Sequence, residues 1–152
     1  MYIDTHTHLF FKNFNEDRDD VIKNALAAGV NYMLVPGTDI ETSKQAIELA
    51  EKYDSVYASV GVHPHDSKDW DDSIIDVLRE LAKHEKVVAI GEIGLDYFYD
   101  FSPKDKQHQA FTKQIELALE LDLPIIIHNR DSNNDIMKFA RKYKDTSLKA
   151  QY

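Results

Sequence analysis

Cysteine is absent from all 152 residues, which removes disulfides, thiolate metal sites and cysteine nucleophiles together and leaves His, Asp and Glu as the strong metal-ligand types. No stretch approaches the ~20 uninterrupted apolar residues that a bilayer span requires. The N-terminus also lacks a basic patch leading into an apolar run, so the expectation is a cytoplasmic protein, neither secreted nor inserted in a membrane. Positive charge is scarce: 18 Lys and Arg against 27 Asp and Glu leave a formal charge of −9. Such a balance argues against a broad basic face for gripping a phosphate backbone. A polyanionic substrate would need local positive charge, which a bound divalent cation can supply. Low-complexity linkers are missing as well, and residues 1–152 read as a single domain with no internal boundary.

What is present is 43% apolar and 30% charged, the composition of a globular chain with a real core. Short apolar runs at Met1–Thr7, Tyr32–Val35, Val56–Val60, Val87–Ile90 and Pro124–Ile127 alternate with helical patterns. Those patterns keep i, i+4, i+7 spacing at Val21/Ala25/Ala28, Ala46/Ala50/Tyr53, Ile74/Leu78/Leu81, Phe111/Ile115/Ala118 and Ile136/Ala140/Tyr143. Helix caps are expected at Thr38 with Glu41, at Ser102 before Pro103, and at Gly29 past the first helix. Strict β/α alternation implies parallel strands with right-handed crossovers, in a doubly wound sheet or an eight-stranded barrel. Five units of roughly 30 residues extrapolate to about 240 for eight, close to the usual barrel size. The fold class is therefore α/β, a partial (β/α)8 TIM barrel of about five units, with "SLKAQY" leading toward a sixth strand.

Chemistry-bearing residues recur at the carboxyl ends of these strands, where function gathers in either architecture. His6 and His8 end the first strand in "DTHTHLF", and an extended backbone would put Asp4, His6 and His8 on one face. His63 follows the third strand in "GVHPH", Glu92 the fourth in "GEIGLDY", and His128 with Arg130 the fifth in "IIIHNR". On parity, Val88, Ile90 and Glu92 share a face, as do Ile126, His128 and Arg130. Each residue alone has an ordinary local explanation, but independent placement would not favour the same end of four strands. Imidazoles and a carboxylate at one rim suit a borderline divalent ion, and the two oxygens of Glu92 can serve a pair. Metal-assisted hydrolysis is the reaction implied. Asp4 and Asp96 are assigned supporting positions behind the histidines. His84 and His108 read as solvated helix residues, and the Asp17/Asp19/Asp20 and Asp69/Asp71/Asp72 groups as helix-start carboxylates. Tyr97, Phe98 and Tyr99 fit either a substrate platform or the packing of a long loop.

The stretches "DTHTHL", "GVHPHDS", "GEIGLDY" with Phe111–Ala118, and "LPIIIHNRD" together resemble the TatD family of metal-dependent hydrolases, within the amidohydrolase-like barrels. The resemblance implies a (β/α)8 barrel holding one or two divalent ions (Zn, Mn or Mg) and cleaving phosphodiesters in DNA. It places His6, His8, Glu92 and His128 as metal ligands, with Glu92 bridging, and His63 and Arg130 as substrate contacts. The family pattern continues into an "H-x-F" histidine and a "T-D-A-P" aspartate that these 152 residues do not contain. The catalytic base is therefore expected beyond residue 152, and the chain is read as truncated after its fifth unit. An open five-strand sheet would expose its edges and inner apolar layers, so self-association is expected. Two other readings stand beside the phosphodiesterase: a hydrolase of small esters, lactones or amides, and a catalytically inert module that binds metal weakly.

Overall fold

The apolar runs become the strands of one parallel sheet. A computed structural model describes residues 1–151; Tyr152, the end of the expected connection, lies outside them. The strands are β1 (Tyr2–Asp4), β2 (Val30–Pro36), β3 (Val56–Val60), β4 (Val87–Asp96), β5 (Ile125–Arg130) and β6 (Ala150–Gln151). The helices between them are α1 (Arg18–Ala27), α2 (Ile40–Lys52), α3 (Ile74–Leu81), α4 (Lys104–Leu121) and α5 (Asn133–Tyr143). Every pairing is parallel and the strand order is β1-β2-β3-β4-β5-β6. A strictly sequential order means that each crossover steps the same way. That is the winding of a barrel wall, and it excludes the reversal of strand order that defines a doubly wound sheet.

Helix burial follows the apolar stripes in most places. Phe111, Ile115 and Ala118 of α4, Ala46 and Ala50 of α2, Leu78 of α3 and Ile136 of α5 are all buried with the strand residues Val35, Val56 and Ile90. Each large side chain removed from water in this way contributes about 1.5–3 kcal/mol. In α1 the stripe is displaced: Ile22 is the buried residue, Val21 and Ala25 are half-buried, and Ala28 is exposed. The opposite, concave face of the sheet is apolar and open, lined by Ile3, Tyr32, Leu34, Tyr57 and Val88. Ile3 and Tyr32 stay 55% and 43% exposed.

Several boundaries differ from the sequence reading. β1 stops at Asp4, where the Asp4 Oδ1 accepts the amide of His6 two residues on, at 3.1 Å, and interrupts the ladder, which the Thr7 amide meets once more at the Leu34 carbonyl, 3.0 Å. β4 runs six residues past Ile90 and carries Glu92 and Asp96 within the strand. Between Ile90 and Ile93 its register slips, three steps on β4 spanning two on β5. The parity drawn through Val88, Ile90 and Glu92 therefore does not run unbroken. β6 pairs with β5, so β5 is not an edge strand.

The cap of α2 is Asp39, whose side chain accepts the Thr42 amide, and not Thr38 with Glu41. The shorter aspartate closes a box with Thr42 that Glu41 does not enter. Pro103 itself stands at the N-cap of α4, leaving Ser102 outside the helix, with its hydroxyl donated to the His65 carbonyl. Gly29 does adopt the left-handed conformation, φ +91°, as its place after α1 requires.

Candidate metal centre

Four strand ends deliver their polar side chains to one mouth: β1, β3, β4 and β5. The Glu92 backbone amide donates to the Gly37 carbonyl at 2.7 Å, which holds the middle of β4 against the end of β2. Gly94 makes the next approach possible: it sits at φ +146°, and a Cβ there would lie 2.1 Å from the His128 carbonyl oxygen. The side chains of Glu92 and His128 consequently face one another across closely apposed strands.

Glu92 is the hub and is 7% exposed. Its Oε2 lies 3.2 Å from His6 Nε2 and 3.4 Å from His8 Nε2, while its Oε1 lies 3.1 Å from His128 Nδ1 and 3.9 Å from His63 Nε2. His6 and His8 hold their Nε2 atoms 3.2 Å apart. Ligand atoms placed tetrahedrally around an ion at zinc-like bond lengths are separated by about 3.3 Å. The His6, His8 and Glu92 atoms already have that spacing, so this donor set fits a divalent cation. His128 and the second oxygen of Glu92 offer a partial set beside it, and His63 lies within reach of both.

Hydrogen bonds decide which ring nitrogens carry lone pairs. His8 Nδ1 faces the Pro36 carbonyl at 3.2 Å, an acceptor only, so Nδ1 carries the proton and Nε2 is free toward Glu92. His128 Nε2 faces Asp96 Oδ2 at 2.9 Å, so the proton on that nitrogen is donated outward and Nδ1 is free toward Glu92. His63 is arranged the other way. Its Nδ1 accepts the His65 amide at 3.1 Å, which leaves the proton of a neutral ring on Nε2, directed into the mouth. A donor in that position suits a substrate oxygen better than a cation.

The electrostatics follow from the same contacts. Burial by itself raises the Glu92 carboxyl, yet His128, His6 and His8 outweigh it and hold the group below the usual carboxylate range, because their facing nitrogens take up protons and donate to it when no cation engages their lone pairs. His6 is raised above 6.5, chiefly by its bond to Glu92. Burial pulls His128 down, but Glu92 and Asp96 carry it above its ordinary value. His63, 7% exposed, is pushed down to about 3 by burial, with the charge of His128 adding to the effect. Without an ion, protons bind where a cation would sit.

Two members of the cluster carry roles that the sequence did not make explicit. His65 Nε2 meets Asp96 Oδ2 at 2.7 Å, and Asp96, 1% exposed, accepts from His65 and His128 with the same oxygen. The second histidine of "HPH" repeats the spacing of His6 and His8, the one sequence feature that singles it out. Asp4 touches the backbone amide of His6 and not its ring. Arg130 is exposed, its guanidinium 4.1 Å from the Phe98 ring centroid and 4.8 Å from that of Tyr99.

The remaining histidines are partnered away from the mouth. His84 pairs with Glu51 at 3.1 Å, and His108 meets the Tyr97 hydroxyl at 2.5 Å. Tyr97 therefore turns from the Phe98/Tyr99 side, its hydroxyl donated to Asp135 at 2.7 Å. Of the helix-start acids, Asp71 caps the Ser73 amide at 2.9 Å, and Asp72 accepts from the Trp70 indole.

A parallel half-barrel that gathers imidazoles around one carboxylate at its carboxyl-end mouth defines the class of metal-centred (β/α) barrels. Within that class the chain belongs to the TatD related DNase family, whose model matches residues 3–151. It is 46% identical over 142 residues to the uncharacterized metal-dependent hydrolase YabD of Bacillus subtilis, covering 93% of this chain and 56% of that protein. It is 40% identical over 142 residues to the 3'-5' ssDNA/RNA exonuclease TatD of Escherichia coli K12, covering 93% of this chain and 55% of that one. Among solved structures, the TatD homolog YJJV of Escherichia coli K12 superposes with a TM-score of 0.86 at 34% identity, over 93% of this chain and 56% of that one. A TatD family hydrolase of Entamoeba histolytica gives 0.85 at 28%, over 94% and 54%. The chain thus spans about half the length of the curated relatives it matches. Among the described residues, no helix is long and apolar enough to cross a membrane.

Proposed function

We propose that this chain carries the metal-binding half of a divalent-metal-dependent hydrolase that cleaves phosphodiester bonds in nucleic acid. The observation that carries the reading is the division of Glu92 between two imidazole groups, Oε2 toward His6 and His8 and Oε1 toward His128. In this reading His6, His8 and Glu92 hold one ion, and Glu92 with His128 contributes to a second. Bound there, divalent ions (Zn, Mn or Mg) supply Lewis acidity and an activated water. His63 offers its Nε2 proton to a substrate oxygen. Arg130, with a planar guanidinium matched to phosphate, orients the backbone of the substrate. Asp96 fixes the His128 ring from behind, and Asp4 fixes the His6 backbone.

Nucleic acid is preferred over small esters or amides because relatives of this family are named as single-stranded DNA and RNA exonucleases. The net charge of −9 is reconciled with such a substrate by the cations themselves. We read residues 1–152 as one cytoplasmic domain, a reading supported by the single sheet and the cysteine-free composition. Its open concave face and β1 edge favour self-association through the barrel edges.

The test is calorimetric titration of the purified chain with Mn and Zn, together with metal-dependent shortening of a labelled single-stranded oligonucleotide. Saturable binding that is lost in Glu92→Gln, with cleavage lost alongside it, supports the reading. Equal binding and turnover in that variant would overturn it, and binding without cleavage would leave this chain an inert metal-binding module.

A further inference from the structure

Beside the mouth, a short loop holds three large aromatic rings in water. Phe98, Tyr99 and Phe101 are 56%, 39% and 55% exposed. Tyr99 and Phe101 lie face to face, centroids 5.0 Å apart and planes 17° from parallel. Phe98 stands edge-on to Tyr99 at 4.8 Å, and Arg130 covers both from the β5 side. Three adjoining exposed rings form a contiguous apolar patch of the kind that marks an interaction site.

The loop is also pinned. Asp96 Oδ1 accepts the amides of Phe98 and Tyr99, both at 3.0 Å. Gln107, 2% exposed, closes the loop from α4 by donating to the Asp96 and Ser102 carbonyls, while its oxygen accepts the Asp96 amide. The rings are therefore presented to solvent by a buried polar frame. The other oxygen of Asp96 holds the His65 and His128 rings, and His65 packs its edge against Tyr99 and Phe101 at 5.3 and 4.8 Å. One carboxylate thus sets both the aromatic surface and a candidate metal ligand.

Resting on the nucleic-acid reading above, we propose that Phe98, Tyr99 and Phe101 form a stacking platform for an unpaired base of a single-stranded nucleic acid, with Arg130 meeting an adjoining phosphate. Every base has a π-face, so such a platform binds without regard to sequence. A paired base has both faces covered by its neighbours in the duplex, so the platform selects single strands. The charge fits as well: stacking supplies attraction that does not depend on a broad basic face, which a formal charge of −9 argues against, and the Arg130 guanidinium at the platform supplies the complement to a single phosphate.

The experiment is fluorescence anisotropy of the 152-residue chain with a labelled oligothymidylate, in chelator so that no cleavage occurs, beside the abasic oligonucleotide and a hairpin duplex. Phe98→Leu and Phe101→Leu keep apolar bulk but lose the π-face, and Phe101→Trp enlarges it. The Leu variants should bind the single strand about tenfold more weakly and the Trp variant at least as tightly as the parent. All should bind the abasic strand and the duplex equally poorly, with circular dichroism unchanged. Tight binding of the parent that is untouched in both Leu variants overturns the platform and leaves the nucleic-acid reading standing. No binding of the single strand by the parent in chelator also overturns the platform, while the nucleic-acid reading, whose attraction for phosphate runs through the cations, stands or falls on the metal-dependent cleavage assay above.

Discussion

Asp96 accepts His128 Nε2 at 2.9 Å while its other oxygen accepts the Phe98 amide at 3.0 Å, so one buried carboxylate orients a candidate ligand and an exposed loop together. In Asp96→Asn an amide replaces the oxygen pair, and the tautomer of His128 is no longer dictated. Loss of such an outer partner lowers metal affinity roughly 10–100-fold. Calorimetric titration with Mn or Zn should read that loss, with the far-ultraviolet circular dichroism retained.

Glu92 is the shared oxygen donor, so its removal should cost more than the loss of an outer partner. In Glu92→Gln the rise in Tm produced by saturating divalent metal in the parent should vanish, since stabilisation by a ligand follows its affinity for the folded state. Differential scanning fluorimetry with and without metal measures the effect.

His63 gives the metal-free chain a defined acid response. Its folded-state value is depressed to about 3 from 6.5, so between those values the unfolded chain binds the extra proton. The stability it contributes is complete above pH 6.5 and is lost progressively as pH falls toward 3. His63→Gln should flatten this part of the pH dependence in urea unfolding of the chelated protein. His6 and His128, raised above 6.5, act in the opposite sense and favour the folded state at lower pH.

Gly94→Ala places a methyl group 2.1 Å from the His128 carbonyl on a φ of +146°. Both atoms belong to or are fixed by backbone, so no side chain can move aside. A destabilisation of roughly 3 kcal/mol or more is expected, measured as a fall in the urea midpoint.

Ile3 and Tyr32 leave an apolar patch on the open concave face. Sedimentation velocity of the parent should show concentration-dependent association, and Tyr32→Glu should shift the chain toward monomer.

Sequence pattern alone determined the β/α order, the parallel sheet and most of the residues that reach its mouth, His65 excepted, because apolar periodicity and strand-end position are local properties of the chain. Its errors were local too. The Asx turn at Asp4 ended β1 early, and the Asp39–Thr42 box took the cap expected of Thr38. Only the tertiary structure decided that Glu92 divides its oxygens between two imidazole groups, and that Asp96 links His65 and His128 to the Phe98–Phe101 loop. It also decided that His63 offers a proton where His8 and His128 offer lone pairs. Those assignments depend on which atom of one strand meets which atom of another, and hydrogen-bond partners drawn from four strands leave no trace in the spacing of any one of them.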